Sequence, residues 1–161
     1  MEADGIVDRY AIGGAVGATF YLEAVATFDV DIFISFQAQP ESPLISPEPV
    51  FKYLTGRGAR NEGEYLIIAD WPVQVLPPTG PLVEEALEEA VEVEVEEIRT
   101  RVFTAEHLAA IALQTGRAKD KARLLQFIES GALSSERFQS ILERHALAGS
   151  WRKFGQQFLE S

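Results

Sequence analysis

The chain of 161 residues suits one compact domain, and its hydrophobic fraction of 47% supplies enough apolar side chains for a core. It contains no cysteine, which excludes disulfide bonds, thiolate zinc sites and cysteine nucleophiles. The net charge of −11 opposes nonspecific DNA binding.

The first half of the sequence predicts alternating strands and helices. Tyr10–Ile12 is a short strand that ends at Gly13-Gly14, and the apolar segment after it predicts a buried helix. In chain order, the predicted elements are a strand at 10–12, a helix at 15–22, a strand at 28–36, a helix at 49–55, strands at 64–69 and 73–76, a helix at 81–90, and a strand at 91–98 that Arg99–Phe103 can continue. The strands 64–69 and 73–76 form a hairpin around Asp70-Trp71-Pro72.

Every element predicted after Thr104 is a helix. Thr104 is a good N-cap, and Gly116 closes the first of these helices. The predicted helices cover 105–115, about 119–129, 135–146 and a short segment at 150–159. We therefore expect an α/β domain at residues 1–103 and a C-terminal helical region at residues 104–161 that packs on it.

The start of the chain and its apolar runs bear on its location. Met1–Asp4 is acidic and lacks the basic and apolar regions of a signal peptide. No apolar run approaches the length needed to cross a bilayer. We therefore expect a cytoplasmic protein without membrane partners. The acidic excess lies in residues 1–103, so the slightly basic C-terminal part can still hold a phosphate group.

The sharpest local feature is the acidic pair Asp29 and Asp31 within an apolar strand. Residues two apart on a strand share a face, so both carboxylates point the same way while Val30 and Ile32 face the core. Paired carboxylates repel each other, and a divalent cation removes that conflict. Oxygen ligands of this kind suit Mg²⁺ or Mn²⁺. The alternative is an edge strand whose aspartates face water.

The second feature is the turn Gly13-Gly14 between a strand and a helix. Glycines at such a turn let the backbone approach a ligand, and a helix N-terminus favours anions such as phosphate. The sequence is neither a Walker loop nor a dinucleotide-binding fingerprint, because the lysine and the third glycine of those motifs are missing.

Together, Gly13-Gly14 and the segment Thr27–Ile32 resemble the nucleotidyltransferase superfamily related to DNA polymerase β. The chain looks most similar to small bacterial and archaeal nucleotidyltransferase-like proteins, some of which are toxins of toxin–antitoxin and abortive-infection systems. The segments Trp71–Pro77, Glu106–Leu108 and Gly116–Asp120 also resemble that group. The resemblance implies an α/β (α+β) fold: a mixed sheet with flanking helices and a C-terminal helical bundle.

The resemblance also implies a reaction and a site. Gly13 and Gly14 would hold a nucleoside triphosphate with Thr27, and Asp29 and Asp31 would bind the metal ions. A third carboxylate would help to hold one metal and activate the acceptor hydroxyl. Transfer of a nucleoside monophosphate would then release pyrophosphate. The acceptor, a protein, an RNA end or a small molecule, is left open.

The sequence departs from this pattern at the third carboxylate. Gln74 occupies the expected position on the return strand. A glutamine carbonyl can bind Mg²⁺ but is neutral and cannot act as a base. Asp70 is a poor substitute because it falls in the predicted turn. Glu92, Glu94 and Glu96 lie on a neighbouring strand and either contribute to the site or form a solvated face.

The basic segment from Arg117 to Arg123 offers a further candidate contact for the triphosphate. Lys119 and Asp120 are the residues that the resemblance favours, and the alternative is a solvated helix start with an acid in its first turn. His107 and His145 lie on separate predicted helices without metal-ligand spacing, so we interpret them as surface or packing residues.

Three functions are compatible with these residues. The first is an active, metal-dependent nucleotidyltransferase, and the second is a nucleotide-binding or regulatory module that has lost turnover at Gln74. The third is a protein-interaction partner, such as one half of a toxin–antitoxin pair.

Overall fold

The computed structural model describes residues 2, 4–22, 30–35 and 48–160. These residues form one mixed sheet of seven strands in the order β3-β4-β5-β2-β1-β7-β6. The strands are β1 (Arg9–Gly13), β2 (Val30–Ser35), β3 (Arg60–Glu62), β4 (Tyr65–Ile68), β5 (Trp71–Leu76), β6 (Val91–Val95) and β7 (Ile98–Val102). The central strand β2 runs antiparallel to β1 and parallel to β5.

Seven helices accompany the sheet in the described part of the chain. They are α1 (Gly14–Ala18), α2 (Glu48–Thr55), α3 (Pro81–Glu88), α4 (Ala105–Thr115), α5 (Ala118–Ser130), α6 (Ser135–Arg144) and α7 (Ala148–Phe154), followed by a π-helical turn at Gly155–Leu159. Among the described residues, no helix has both the length and the apolar character that a membrane crossing requires.

The alternation of side chains along β2 divides the core into two layers. Ile34 is fully buried against Val50 of α2 on one face of the sheet, with Ile32 beside it. Phe33 points to the opposite face, where its ring lies 5.0 Å from that of Phe103. The larger cluster on this second face joins residues of β1, α1 and α3 to residues of α4–α7. Asp31 lies on this second face because it is two residues from Phe33.

The strands and helices differ from the sequence predictions in several places. The helix after the glycine turn is one short element, Gly14–Ala18, rather than 15–22. The single strand predicted from 91 to 103 is a hairpin, because Glu96 and Glu97 turn the chain with φ values of 50° and 68°. Strand β5 begins at Trp71, inside the predicted turn. The short polar strand β3 was not predicted.

Strand β6 forms one edge of the sheet, and its two faces are both largely exposed. Val91 and Val95 are exposed, and so is Ile98 on β7. The alternation of valine and glutamate is the pattern of a half-buried strand, but both end valines are exposed. The glutamates between them face solvent, as the solvated-face interpretation expected.

Candidate functional site

The candidate site is built on three neighbouring strands at the centre of the sheet. Asp31 lies opposite Gly13 of β1 and opposite Gln74 of β5. Residues that face each other across neighbouring strands share a face of the sheet. The three residues therefore form a row, on the face that carries α1, α4 and α5. The predicted adjacency of Gly13-Gly14, Asp31 and Gln74 is thus present in the structure.

The glycine turn brings the backbone unusually close to the Asp31 carboxylate. Gly14 has a φ of +59°, and a Cβ placed on it would lie 2.3 Å from Oδ2 of Asp31. A Cβ on Gly13 would lie 2.7 Å from Cε2 of Phe33 and 2.9 Å from Cε2 of Phe103. All three distances are shorter than van der Waals contact. Neither glycine therefore accepts a side chain unless its neighbours move. Gly14 leaves room for the Asp31 carboxylate beside the turn, and Gly13 leaves room for the rings of Phe33 and Phe103.

Two of the predicted site residues, Thr27 and Asp29, lie outside the described residues. The geometry of the acidic pair therefore stays a prediction, as does the contact of Thr27 with a nucleotide. The structure describes Asp31, whose Oδ1 atom is buried.

Gln74 occupies the position that the sequence assigned to it. It is half-buried and lies in register with Asp31. Asp70 lies in the β4–β5 turn with a φ of 68° and is exposed. Gln74 lies four positions further along the chain, which is about 13 Å of extended strand. The residue beside Asp31 is therefore a neutral amide, and Asp70 does not replace it. Glu92 and Glu94 lie on β6, three strands away from β2.

The start of α5 brings a cation towards Asp31. Arg117 is the N-cap residue of this helix, and its side-chain Nε donates a hydrogen bond of 2.6 Å to Oδ2 of Asp120. The contact with Asp120 raises the pKa of Arg117, and the charge of Asp31 adds to this effect. The guanidinium of Arg117 therefore lies within the electrostatic reach of the central carboxylate. Arg117 belongs to the predicted basic segment, in which Lys119 was the favoured phosphate contact; Lys119 is exposed.

Asp120 is buried and directed at Arg117 rather than at open space. Its carboxylate accepts hydrogen bonds from Nε, Nη2 and the backbone N–H of Arg117. Burial raises the pKa of Asp120, but the hydrogen bonds from Arg117 and Thr115 outweigh burial and lower it below the ordinary value of 3.8. The geometry gives Asp120 the role of a helix cap that orients Arg117. A direct contact of Asp120 or Lys119 with a nucleotide stays a prediction.

A second polar cluster lies on α3, α4 and α6, away from Asp31. His107 is buried, and its Nε2 atom lies 2.9 Å from Oε2 of Glu85. Nε2 of His145 lies 3.0 Å from the same oxygen, and Arg144 donates two hydrogen bonds to the carboxylate. The hydrogen bonds of Arg144, His107 and His145 lower the pKa of Glu85 to about 2.

The interpretation of His107 and His145 as surface or packing residues did not include their shared partner, Glu85. The fold brings together side chains that are 38 positions apart, because α4 and α6 pack on each other. The local sequence carries one signal for this cluster: Glu85 and Glu89 are spaced by one helical turn and share a face of α3.

A mixed sheet with helices on its faces, and with a Gly-Gly turn beside an aspartate on the central strand, is the arrangement expected of a nucleotidyltransferase-like fold. The fold predicted from the sequence is thus confirmed. A crystal structure of an antigenic nucleotidyltransferase-like protein from Paracoccidioides brasiliensis matches with a TM-score of 0.56. The match covers 89% of this chain and 84% of that chain at 14% sequence identity. No protein-family model matches the sequence, and no curated protein is significantly similar to it.

Proposed function

We propose that the protein is a nucleotidyltransferase that moves a nucleoside monophosphate from a nucleoside triphosphate to an acceptor. The observation that carries this proposal is the row of Gly13, Asp31 and Gln74, with Gly14 leaving room for the carboxylate. In the reaction, an acceptor oxygen forms a bond to the α-phosphorus and the bond to the bridging oxygen breaks. Pyrophosphate leaves, and the acceptor hydroxyl loses its proton.

The side chains of this site suit a hard divalent cation such as Mg²⁺ or Mn²⁺. A Cβ on Gly14 would fill the space beside Oδ2 of Asp31, so glycine keeps one side of the carboxylate open. Asp31 would hold the ion with Asp29, and the side-chain carbonyl of Gln74, which lies in register with Asp31, would be a neutral oxygen ligand. The ion supplies positive charge that stabilises the attacking and leaving oxygens.

Residues around this carboxylate provide the rest of the proposed chemistry. Arg117 uses two side-chain N–H groups on Asp120, and the remaining donors of its guanidinium are available for a phosphate oxygen. Gln74 cannot take a proton from the acceptor, so that proton goes to an aspartate or to water. Because one carboxylate is missing, we expect slow turnover.

The test is transfer of label from α-labelled nucleoside triphosphates, in Mg²⁺ or Mn²⁺, to protein, RNA and small-molecule acceptors. We expect transfer that Asp31→Asn abolishes. Asp70→Asn is the matched control, because Asp70 is an exposed aspartate in the β4–β5 turn, away from Asp31. A wild-type protein that neither labels any acceptor nor releases pyrophosphate would contradict the proposal.

Gln74→Glu provides a second, independent test. It adds a carboxylate beside Asp31 with almost no change in shape, so we expect it to raise the transfer rate about tenfold or more. Gln74→Ala removes the oxygen ligand and should lower the rate. A Gln74→Glu protein that is no faster than wild type would show that this position does not limit the chemistry.

The second candidate function is a nucleotide-binding or regulatory module without turnover, and the neutral side chain of Gln74 favours it. Thermal-shift titration separates the two functions: stabilisation by a nucleoside triphosphate and Mg²⁺ without pyrophosphate release supports the module. A protein partner, as in a toxin–antitoxin-type system, belongs to this second candidate and would be tested by co-purification with the product of a neighbouring gene.

A further inference from the structure

An open groove of about 800 Å³ lies between α3, the first turn of α4 and α6, and does not include Gly13, Asp31 or Gln74. Glu89, His107 and Arg144 are among the residues that line it. His107 and Arg117 are separated by the length of α4, so this groove is a different place from the row of residues around Asp31. Nothing in the proposed transfer reaction uses these side chains.

Glu89 and His107 line this groove, and Glu85 and His145 lie next to them. Oε2 of Glu85 lies 2.9 Å from Nε2 of His107 and 3.0 Å from Nε2 of His145, and Oε2 of Glu89 lies 3.6 Å from Nε2 of His107. Zinc binds histidine nitrogen and carboxylate oxygen at about 2.0–2.2 Å, so two ligands of a tetrahedral ion lie about 3.3 Å apart. The donor atoms of Glu85, Glu89 and His107 all lie within 4.8 Å of one another, so a small closing movement brings them to this spacing, and His145 contacts the group through Glu85.

Local structure fixes three of these donors before any ion binds. Glu85 lies on α3, and Glu89 is the C-cap residue of that helix, one turn further on. His107 is buried in the first turn of α4, where Thr104 caps the helix. Oγ1 of Thr104 lies 2.6 Å from Nδ1 of His107. When Nδ1–H donates to this oxygen, the lone pair of Nε2 points at the two glutamates, as in the outer-shell hydrogen bonds that orient metal-bound histidines.

The fourth donor and a competing cation both come from the end of α6. His145 is the C-cap residue of this helix, and Arg144 precedes it. Arg144 pairs with Glu85 at 2.8 Å, and its side chain is 44% exposed. It can therefore turn into solvent at little cost when a cation replaces it on the carboxylate. Among the described residues, Glu85, Glu89 and His107 are the group whose spacing could hold a metal ion.

We propose that Glu85, Glu89 and His107 form the core of a zinc site, and that His145 moves from its contact with Glu85 to become the fourth ligand, which ties α6 to α3 and α4. Two imidazole nitrogens and two carboxylate oxygens suit Zn²⁺ better than Mg²⁺, which prefers oxygen ligands only. All four ligands come from the protein, which is typical of a structural rather than a catalytic zinc site. The proposal does not depend on the transferase activity.

The test is titration of the intact, chelator-treated protein with ZnCl₂. Calorimetry measures the binding, and thermal unfolding measures the change in melting temperature. We expect one ion per chain and a higher melting temperature in zinc. With Co²⁺ in place of Zn²⁺, we expect the visible absorption of a tetrahedral ion. No binding of either ion, or an octahedral Co²⁺ spectrum, would overturn the proposal.

Variants at the rim of the groove keep the test independent of folding. Glu89→Gln and His145→Ala change partly exposed side chains, and each should weaken Zn²⁺ binding at least tenfold. Arg144→Ala should tighten binding, because it removes the competing cation. Glu88→Gln, an exposed neighbour on α3, is the matched control. Unchanged affinity in both Glu89→Gln and His145→Ala would overturn the proposal.

Asp31→Asn separates this site from the one proposed for nucleotidyl transfer. We expect it to bind Zn²⁺ like the wild-type protein. Loss of Zn²⁺ binding in Asp31→Asn would place the ion at the central strand and overturn the proposal. Failure of the zinc proposal does not affect the proposal of nucleotidyl transfer. That activity is measured in Mg²⁺ or Mn²⁺, and it is tested by comparing Asp31→Asn with the wild-type protein.

Discussion

Gly14 shows how one residue can carry both a backbone and a packing requirement. Its φ of +59° is in the left-handed region, where residues with a Cβ are strained. The space that a Cβ would need is taken by the carboxylate of Asp31. Other glycines of the chain, such as Gly63, have a similar φ but open space around them. The two requirements can therefore be separated by comparing substitutions.

We predict that Gly14→Ala is more destabilising than Gly63→Ala. Both variants incur backbone strain of about 1–3 kcal/mol. Gly14→Ala also forces the new methyl group against Asp31, which adds about 1–3 kcal/mol. Urea denaturation measures the difference, and thermal shift with a nucleoside triphosphate and Mg²⁺ tests the site. Nucleotide stabilisation should persist in Gly63→Ala and disappear in Gly14→Ala; equal behaviour would contradict the prediction.

Helix α5 depends on a short-range contact at its first turn. Asp120 is buried, accepts the backbone N–H of Arg117 and pairs with its guanidinium. The same contact sets the direction of the arginine that lies near Asp31. The contact between Asp120 and Arg117 therefore both caps the helix and orients the arginine towards the candidate site.

We predict that Asp120→Asn costs about 1–3 kcal/mol of stability at neutral pH, because a charged acceptor becomes a neutral one. The folded-state pKa of Asp120 lies below the ordinary value of 3.8. Its contribution is therefore complete above pH 3.8 and is lost as the pH falls through the folded-state pKa. The stability difference between wild type and Asp120→Asn should shrink below pH 4.

The free energy of unfolding of both proteins, measured by denaturation at about six pH values from about 2.5 to about 7, gives this pH dependence. Glu129→Gln, at the exposed end of the same helix, is the control and should change stability little. A difference that stays constant through the acid range would show that the charge of Asp120 contributes nothing.

The hairpin of β6 and β7 is closed by two residues that are poorly suited to their backbone angles. Glu96 and Glu97 have φ values of 50° and 68°, which are typical of a two-residue turn that favours Asn-Gly. Residues with a Cβ are disfavoured in this conformation by about 1–2 kcal/mol each.

We predict that the double substitution Glu96→Asn and Glu97→Gly stabilises the protein by about 1–2 kcal/mol, because it relieves this strain. Urea denaturation at neutral pH measures the gain. Glu92→Asn and Glu94→Asn together remove the same charge from the strand and form the control. They should not stabilise, because asparagine is a poor strand residue. Equal gains in both double variants would attribute the effect to charge.

At the scale of the molecule, one apolar cluster joins the two parts that the sequence separated at residue 103. Ala11 and Ala18 belong to the same buried cluster as Leu108, Ala109 and Leu124. The residues that form the α/β part therefore bury one face of their sheet against the C-terminal helices. The division into two regions stays a prediction about the chain, and it has a direct test.

We predict that a fragment of residues 1–103 does not unfold cooperatively, because it exposes the face of the sheet that α4 and α5 cover. Thermal unfolding by circular dichroism and binding of a hydrophobic dye measure this. Addition of a separate fragment of residues 104–161 is the control and should restore part of the transition. A sharp transition in the first fragment alone would show that the α/β part folds independently.

The sequence predicted the elements whose ends carry local signals. Helix α4 has its predicted bounds because Thr104 and Gly116 cap it through contacts within one turn. The row around Asp31 was also predictable, since strand periodicity and a glycine turn are local patterns.

Long-range features were not predictable in the same way. The hairpin turn at Glu96-Glu97 lacks the glycine or asparagine that normally marks such a turn. The approach of His145 to Glu85 joins residues 60 positions apart and follows from the packing of α6. Lys119 was favoured over Arg117 because of the resemblance, and the direction of the Arg117 side chain depends on a buried partner, Asp120.

The exposed edge strand β6 has a consequence for handling the protein in acid. Its valines alternate with glutamates whose negative charges keep a second edge from pairing with it. Near the isoelectric point of about 4.6, this electrostatic protection fades together with the net charge of the whole chain. Strand-to-strand association through Val91 and Val95 then becomes the expected route to precipitation. Lysine in place of Val95 should keep the protein dispersed there.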